Sequence, residues 1–426
     1  MSMSWIKNKI KDFIWGGRQF PYPYIDCDGN ELNSVEDIWV TSKEKLEEAI
    51  ARGYCSKDRI RWNQEEMEED WSEFLFPVDG LEWINGGIAF RNGETGERFD
   101  LKVGRKSLQI LPFHALLAPQ IICHYYGEVN TGKTLWMTQI ICESGLFVSK
   151  PQDGTFCFTS DEIVDNPFPH PKSEAIKAYE NNQLPEPTKK GELSLPYSFF
   201  ASYETGEESV CSLVEFRDLA GEVAKEQGAG SVMFQSSYIL FLISAHDLYD
   251  NEAKRNLIHL IQVFWQKGVQ QNSFKGKLLV VFTKSDLFGE AELLQELLQD
   301  NTIWRYCNQL RLKKHADGYC IEENKKRNEV LYQYLNEEFP DVLMHLEMLA
   351  PQQQMEYFLI GSINQYPEDE NVLPKNFCPY RIDEAILYLL ADMGLYPYKE
   401  ANDQEETEIE PEDHFQQYWD NWSGEW

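Results

Sequence analysis

The chain has 426 residues, of which 42% are apolar, and it carries a formal net charge of −32 at pH 7. This length predicts two or three domains, and such an excess of carboxylates argues against nucleic acid and anionic lipid as broad binding partners. The nine cysteines are scattered and never spaced Cys-x-x-Cys, which favours reduced thiols over a zinc site or a disulfide framework. Because no apolar run has the length of a signal peptide or of a transmembrane segment, we expect a cytoplasmic protein.

The first 115 residues predict two units that carry no recognisable chemistry. Residues 1–15 have a helical apolar stripe with three lysines beside it, so this amphipathic helix either docks on its own domain or rests on a membrane surface. Residues 16–115 predict a small α+β domain. Within it, Ser42 is expected to cap a helix through Leu46 and Ile50, and alternating segments on either side of residues 93–96 predict a hairpin.

From residue 120 onward, strands and helices alternate. Continuous apolar runs predict strands buried on both faces, a hairpin pattern predicts one antiparallel pair, and apolar spacing predicts amphipathic helices. The predicted strands are 121–126, 198–203, 209–216, 238–244, 278–282 and 357–360, and the main helices are 134–146, 252–271 and 382–393. We therefore predict a doubly wound, mostly parallel α/β sheet with one antiparallel strand over residues 118–396.

Two insertions interrupt this pattern, and a distinctive tail follows it. Residues 147–187 are rich in proline and are expected to be irregular apart from one short helix near 173–182, whereas residues 288–354 predict a helical insertion. Residues 400–426 contain ten acidic residues and no lysine or arginine, yet they keep five large aromatic residues. This tail is either a disordered solubilising segment or an acidic, aromatic peptide that docks on a partner or on its own chain.

Residues 127–134 read Gly-Glu-Val-Asn-Thr-Gly-Lys-Thr, the Gly-x-x-x-x-Gly-Lys-Thr pattern of a phosphate-binding loop between a strand and a helix. Gly127 and Gly132 allow the backbone N–H groups, including that of Thr131, to turn inward around an anion. Lys133 is expected to reach the terminal phosphates, and Thr134 offers its hydroxyl to Mg²⁺. The sequence therefore predicts a nucleoside triphosphate as ligand.

Further motifs follow this loop in a fixed order along the chain. They are Pro187-Thr188, Asp218-x-x-Gly221 after an apolar strand, Thr283-Lys284-Ser285-Asp286 after a buried strand, and Ser362-Ile363-Asn364 after another. Taken together, the series resembles the Ras-like P-loop GTPase superfamily over roughly residues 118–396. The resemblance implies a P-loop GTPase sheet, with GTP or GDP as the ligand and Mg²⁺ as the cofactor.

The resemblance also implies roles for the residues around the phosphates. Thr188 would complete the Mg²⁺ shell and touch the γ-phosphate through its N–H, and Asp218 would hold a Mg²⁺-bound water. The N–H of Gly221 would sense the γ-phosphate, so that loss of this phosphate releases both loops. Many similar proteins place glutamine after this glycine to orient the attacking water, but Glu222 stands here, which predicts slow hydrolysis.

The remaining motifs imply how the base would be read. Asp286 would accept hydrogen bonds from the guanine N1–H and exocyclic amine, a donor pair that adenine lacks. Lys284 would lie along the ring face, and Thr283 can tie this segment to the phosphate loop. The backbone of Ser362 and Ile363 would contact the guanine O6.

Asn130 leaves two interpretations open. Gly-x-x-Asn-x-Gly-Lys-Ser/Thr resembles potassium-activated GTPases, in which this asparagine helps to hold K⁺ against the phosphates; alternatively, Asn130 caps its own loop. On a larger scale, the long insertions and the Asp-Leu-Ala-Gly-Glu form resemble bacterial double-GTPase proteins, which are associated with conflict or defence operons.

From these patterns we predict a GTP-binding molecular switch with slow, Mg²⁺-dependent hydrolysis, which K⁺ assists under the first interpretation of Asn130. Its catalytic residues would be Lys133, Thr188, Gly221 and Glu222, and protein partners would contact the switch loops, the helical insertion and the acidic tail. Two alternatives stay open, namely an ATP-hydrolysing P-loop protein and a non-catalytic scaffold that holds nucleotide as a structural element.

Overall fold

A computed structural model provides the structure of the chain. It describes residues 19–56, 61–63, 71–84, 89–127, 131–143, 154–160, 173–185, 196–206, 209–218, 236–270, 276–288, 318–362, 372–373 and 381–399. The predicted amphipathic helix at 1–15 and the acidic tail at 400–426 lie outside these residues.

Short strands in small sheets dominate the N-terminal segment, residues 19–118. The strands are β1 (Gln19–Ile25), β2 (Glu31–Ser34), β3 (Ile38–Thr41), β4 (Cys55–Ser56), β5 (Arg61–Trp62), β6 (Phe76–Pro77), β7 (Glu82–Ile84), β8 (Ala89–Arg91), β9 (Arg98–Phe99) and β10 (Leu101–Gly104), with helices α1 (Lys43–Ala51) and α2 (Trp71–Phe74). Ser42 caps α1 as predicted, because its side chain accepts a hydrogen bond from the Lys45 N–H.

The predicted hairpin at residues 87–103 is present but shorter than expected. Strands β8 and β9 pair antiparallel, with Phe90 opposite Phe99. The chain then leaves this sheet, and β10 pairs with β3 instead, with Val103 opposite Trp39. The alternation of apolar and polar residues continues through both strands, so the pattern alone does not reveal the change of partner.

A seven-stranded sheet forms the centre of the molecule, in the order β12-β13-β14-β11-β15-β16-β18. Its strands are β11 (Gln120–Gly127), β12 (Gly154–Ser160), β13 (Tyr197–Thr205), β14 (Ser209–Asp218), β15 (Tyr238–Ser244), β16 (Lys277–Thr283) and β18 (Met355–Leu359). Strand β13 pairs antiparallel with both of its neighbours, whereas the other pairings in the sheet are parallel. The prediction of a mostly parallel sheet with one antiparallel strand is therefore confirmed for this sheet.

The prediction that residues 147–187 are irregular apart from one helix is wrong for residues 154–160. These residues form β12, which extends the sheet beyond β13 and buries Phe156 and Phe158. The predicted helix of this insertion is present as α4 (Ser173–Glu180), which follows helix α3 (Lys133–Glu143). An edge strand of this kind is stabilised by its pairing with β13, which lies far ahead in the sequence.

Helices cover both faces of the central sheet. The remaining elements are α5 (Ala245–Tyr249), α6 (Asn251–Gln270), β17 (Tyr319–Cys320), α7 (Ile321–Glu338), α8 (Pro340–Leu349), α9 (Glu384–Asp392) and β19 (Tyr398–Lys399). Helices α3 and α9 share a hydrophobic core with one face of the sheet, and α6, α7 and α8 share another with the opposite face. In doubly wound sheets of this kind, ligands bind at the carboxyl ends of the strands.

The N-terminal segment packs on the α6 face of the sheet, over β13 and β14. Phe200 and Leu213 of these strands belong to the same buried cluster as Tyr24 and Leu116 of the N-terminal segment.

The seven cysteines in the described part of the chain are free thiols. None of the helices described combines the length and the apolar character that crossing a bilayer requires.

Candidate functional site

The carboxyl ends of five parallel strands meet at one edge of the central sheet. Asp218 of β14 lies opposite Tyr125 of β11, and Tyr125 is two residues before Gly127. Gly127 in turn lies opposite Leu242 of β15. Thr283 closes β16 beside the end of β15, and β18 follows on its other side. Ligands of open α/β sheets bind at this edge, where loops leave the strands.

Gly127 and Gly132, on either side of the loop between β11 and α3, have the backbone environment that the glycine pattern requires. A Cβ on Gly127 would lie 2.7 Å from the carbonyl oxygen of Leu242, so only glycine fits there without a shift. Gly132 has a φ of +87°, which side chains rarely adopt. Helix α3 begins at Lys133 and carries no acidic residue in its first turn, which leaves its amino end favourable for an anion.

The Lys133 side chain folds back onto the end of β11. Its ammonium group donates a hydrogen bond of 2.5 Å to the carbonyl oxygen of Gly127. The lysine charge is therefore held between the end of β11 and the start of α3, where the phosphates of a bound nucleotide are expected.

Thr283 joins the next strand to the same loop. Its side chain is 4% exposed, and its hydroxyl donates to the backbone carbonyl of Thr131 at 2.7 Å. The expected tie between the Thr-Lys-Ser-Asp segment and the phosphate loop is thus present. Lys284 follows with a φ of +56°, which turns the chain sharply away from the strand.

The segments predicted to read the base lie side by side. Residues Ser285–Phe288 form a 3₁₀ turn that includes Asp286, and the Ser285 N–H donates to the carbonyl oxygen of Ile360 at 3.2 Å. Ile360 follows β18 and donates its own N–H to the Phe282 carbonyl at 2.7 Å. From the other side, the side chain of Gln139 in α3 donates to the Ser362 carbonyl at 2.7 Å.

Asp218 is the last residue of β14, and its neighbours use only part of the hydrogen-bonding capacity of its carboxylate. Its Oδ1 is buried and has no hydrogen-bond partner in the described part of the chain. Burial, and then the charge and hydrogen bond of Asp218, hold the pKa of the neighbouring Tyr125 well above its ordinary value. The tyrosine hydroxyl therefore remains a donor to this carboxylate, while one oxygen is left for a further ligand.

The described residues contain no cluster of three or more His, Cys, Asp or Glu side chains that could enclose a metal ion. Mg²⁺ does not require such a cluster, because it keeps several waters and binds one or two protein oxygens together with phosphates. The unpartnered oxygen of Asp218 and the hydroxyl of Thr134 in the first turn of α3 fit this type of donor set.

Several of the predicted site residues lie outside the described part of the chain. They are Asn130, Thr188, Gly221, Glu222, Ile363 and Asn364, together with the side chain of Asp286. Their roles stay predictions. The structure adds Gln139 and Tyr125, which the sequence interpretation does not include. The one available signal for Gln139 is a polar residue within the apolar run Leu-Trp-Met-Thr-Gln-Ile-Ile at 135–141.

A buried network of charged and polar groups lies beside the site, under the N-terminal segment. Glu215 is fully buried and accepts hydrogen bonds from the Tyr24 hydroxyl, from Gln120 and from Arg217, each at 2.7 Å. Arg217 also donates to the backbone carbonyl of Asp26 at 3.0 Å. The N-terminal segment is therefore joined to β14 immediately before Asp218.

Comparison with known proteins adds little to this geometry. No family model and no curated protein matches the chain. Among solved structures, it is similar to the GTPase-like domain of Ski7 from S. cerevisiae bound to GTP, at 13% identity and a TM-score of 0.30, covering 65% of this chain and 50% of that one. Sup35 complexed with GMPPNP matches at 12% identity and a TM-score of 0.26, covering 57% of this chain and 38% of that one.

The chain thus spans half or less of the length of these solved chains. Such TM-scores are too low to establish a shared fold. The mixed α/β architecture consequently rests on the strand order, and the nature of the ligand rests on the residues at the edge of the sheet.

Proposed function

We propose that this protein binds GTP and hydrolyses it slowly with Mg²⁺. The observation that carries this proposal is the hydrogen bond from the Thr283 hydroxyl to the Thr131 carbonyl. It holds the Thr-Lys-Ser-Asp segment against the phosphate loop, so that a single nucleotide can contact both. A P-loop alone would serve any nucleoside triphosphate, whereas the segment held by this bond includes Asp286, the acidic residue that we assign to the base.

The guanine preference is assigned to Asp286 and to the segment that begins at Ser362. A carboxylate can accept from both the N1–H and the 2-amino group of guanine, whereas adenine offers no such pair of donors. Lys284 covers one face of the ring, and backbone N–H groups at Ser362 and Ile363 reach O6. These assignments agree with the two segments being hydrogen-bonded to each other through Ser285 and Ile360.

Phosphate and metal binding are assigned to Lys133, Thr134 and Asp218, with Thr188 completing the metal shell. Mg²⁺, when bound, neutralises charge on the β- and γ-phosphates. Lys133 contributes a positive charge that is already directed at the loop through its contact with the Gly127 carbonyl. Asp218 contributes the carboxylate oxygen that has no other partner in the described residues.

Slow turnover follows from Glu222 beside Gly221. A carboxylate can accept a hydrogen bond from water, but next to a triphosphate it adds a like charge. Asn130 offers a place for K⁺ to supply the missing positive charge. We propose that the nucleotide state acts on protein partners through the loops that contain Thr188 and Gly221, as a switch does.

The proposal is tested by titrating GTP, ATP and XTP with Mg²⁺ against the wild type and the Asp286→Asn variant. Loss of a carboxylate that accepts two hydrogen bonds costs about 3 kcal/mol, which corresponds to an affinity for GTP that is about a hundredfold weaker. An asparagine presents a donor to the 2-oxo group of xanthine, so we expect the variant to prefer XTP.

Three outcomes would overturn parts of the proposal. Equal or tighter binding of ATP, unchanged by Asp286→Asn, would identify an ATPase. GTP binding without turnover in either K⁺ or Na⁺ would identify a scaffold that holds nucleotide as structure. Failure of all three nucleotides to bind the wild type would refute the assignment of the phosphate loop.

A further inference from the structure

Gln139 is a fully buried side chain in the second turn of α3, the helix that follows the phosphate loop. Its neighbours Trp136 and Ile140 belong to the hydrophobic core, so this amide lies in a mainly apolar part of α3. Burying an amide is unfavourable unless hydrogen bonds compensate for its lost hydration. The presence of glutamine here is therefore explained by its polar contact rather than by packing.

That contact reaches the segment expected to read the base. Gln139 Nε2 donates to the backbone carbonyl of Ser362 at 2.7 Å. The Oε1 atom is buried and has no hydrogen-bond partner within the described residues. An amide with one unused buried oxygen is costly to retain, which favours a role for the remaining hydrogen bond beyond stability.

The contact between Gln139 and Ser362 matters because of where Ser362 lies in the chain. Two residues before Ser362, the N–H of Ile360 donates to the carbonyl oxygen of Phe282, and this hydrogen bond ties the end of β18 to β16. After Ile360, the Gln139 side chain of α3 holds the described part of this segment at Ser362. A substitution can remove that side chain. Ser362 directly precedes Ile363, and the N–H groups of this segment are the ones assigned to guanine O6.

We propose that Gln139 is a positioning residue for base specificity, which sets the placement of the Ser362 segment relative to the guanine O6. This inference rests on the proposed function, since it presumes a bound guanine nucleotide. It separates two readings of the base: Asp286 reads N1–H and the 2-amino group, while Gln139 acts through Ser362 on the reading of O6.

The two readings can be measured with base analogues. The triphosphate of 6-thioguanosine keeps N1–H and the 2-amino group but replaces O6 with a weaker acceptor, whereas ITP keeps O6 and lacks the 2-amino group. Affinities for GTP, 6-thio-GTP and ITP are measured by titration with Mg²⁺ for the wild type and for Gln139→Met. Methionine keeps the length of the side chain and removes its donor.

We expect the wild type to prefer GTP over 6-thio-GTP by about fivefold, the value of one ordinary hydrogen bond. In Gln139→Met this preference should fall towards one, while the GTP to ITP ratio, which reports on Asp286, stays unchanged. The matched control is Gln262→Met in α6, which removes another helical glutamine amide, one hydrogen-bonded to His345 away from the site. The control should leave both ratios unchanged.

A folded Gln139→Met protein that keeps the full preference for GTP over 6-thio-GTP would overturn the inference. So would a parallel loss of both ratios, because that would indicate general damage to the site. If methionine prevents folding, Gln139→Ala removes the same donor without introducing a new group, and the same criteria apply. If the wild type itself prefers neither GTP over ATP nor GTP over ITP, it is the proposed function that fails, and this is known before any variant is compared.

Discussion

The buried ion pair between Arg217 and Glu215 allows a test of how the N-terminal segment supports the end of β14, where we propose that Mg²⁺ binds. Arg217 is 5% exposed and donates to Glu215 Oε2 at 2.7 Å and to the Asp26 carbonyl at 3.0 Å. The next residue in the strand is Asp218. We predict that Arg217→Met, which keeps most of the side-chain length and removes the charge, destabilises the fold and weakens the use of Mg²⁺.

The expected loss of stability follows from the environment of Glu215. Removing one partner from a buried ion pair costs about 3–5 kcal/mol, because the remaining charge stays in a medium of low dielectric constant. Glu215 would still accept hydrogen bonds from the Tyr24 hydroxyl and from Gln120, both at 2.7 Å. These contacts partly replace hydration, so we expect the lower end of the range, about 3 kcal/mol in the free energy of unfolding.

The functional effect is measured as the ratio of GTP affinity with Mg²⁺ to GTP affinity without it. The backbone of Arg217 directly precedes Asp218, and its side chain joins that backbone to the N-terminal segment. Once this tie is removed, Asp218 is held less firmly, and we expect the ratio to fall about fivefold, as for the loss of one hydrogen bond.

Arg327 provides a matched control. It forms a second buried ion pair, with Glu384 at 3.0 Å, and both side chains are 2% exposed. This pair joins α7 to α9, so Arg327→Met should cost a similar amount of stability and leave the Mg²⁺ ratio unchanged. The reasoning is refuted if Arg217→Met keeps the full ratio, or if Arg327→Met lowers the ratio equally.

Three further predictions concern single side chains. Lys133→Ala should weaken GTP binding about a hundredfold, because the proposed charge-assisted contact with phosphate would be lost. Thr283→Val leaves the buried Thr131 carbonyl without its 2.7 Å partner, and should lower the free energy of unfolding by about 1–3 kcal/mol, as measured in urea. Burial, and then the charge of Arg217, lower the pKa of His124 from 6.5 to about 3. Between these two pH values only the unfolded chain takes up this proton. The free energy of unfolding should therefore fall by up to about 1.4 kcal/mol for each pH unit below about 6.5.

Each of these predictions has its own control. Lys177 on the surface of α4 is an exposed lysine whose replacement by alanine should leave GTP affinity unchanged. Thr138→Val removes a hydroxyl-to-carbonyl bond of 2.7 Å within α3 and should cost less than Thr283→Val, which breaks a link between two elements. A His124→Gln variant cannot titrate, so a pH dependence equal to that of the wild type would show that other groups cause it.

The strands of the central sheet could be predicted where they are buried on both faces. The runs at 238–244 and 278–282 are continuously apolar, and the structure has strands at Tyr238–Ser244 and Lys277–Thr283. Strand β12 was not predicted, because its sequence is short and lies in a proline-rich segment. It exists through its pairing with β13, and local pattern does not contain that information.

The contact between the N-terminal segment and β14 was also beyond the reach of the sequence. Glu215 and Arg217 alternate with the apolar Val214 and Phe216, a pattern typical of a strand with one face in water. The structure instead covers the polar face with the N-terminal segment, and Tyr24 lies 191 residues away from Glu215 in the chain. Periodicity indicates which residues share a face, but not what covers that face.

The residues of the candidate site show the same difference between local sequence signals and contacts with distant residues. Gly127 and Gly132 are recognised in the sequence because the loop needs a close approach and a positive φ at these positions, and each requirement is local. Gln139 has no such signature, since a buried glutamine in a helix is meaningful only through the distant carbonyl that it contacts. Motifs thus report the groups that would touch the nucleotide, while the groups that hold those motifs in place are visible only in three dimensions.

Two hydrogen bonds of 2.7 Å join the segments that we propose to read the base to the phosphate loop and its helix. One runs from Thr283 to Thr131 and the other from Gln139 to Ser362, so each of the two proposed base-reading segments has its own link. Under this proposal, phosphate contacts that order the loop and α3 should also order the segments assigned to the base. It follows that discrimination between guanine and its analogues should be stronger for the triphosphate than for the free nucleoside, and that the Thr283→Val and Gln139→Met substitutions should each reduce this difference.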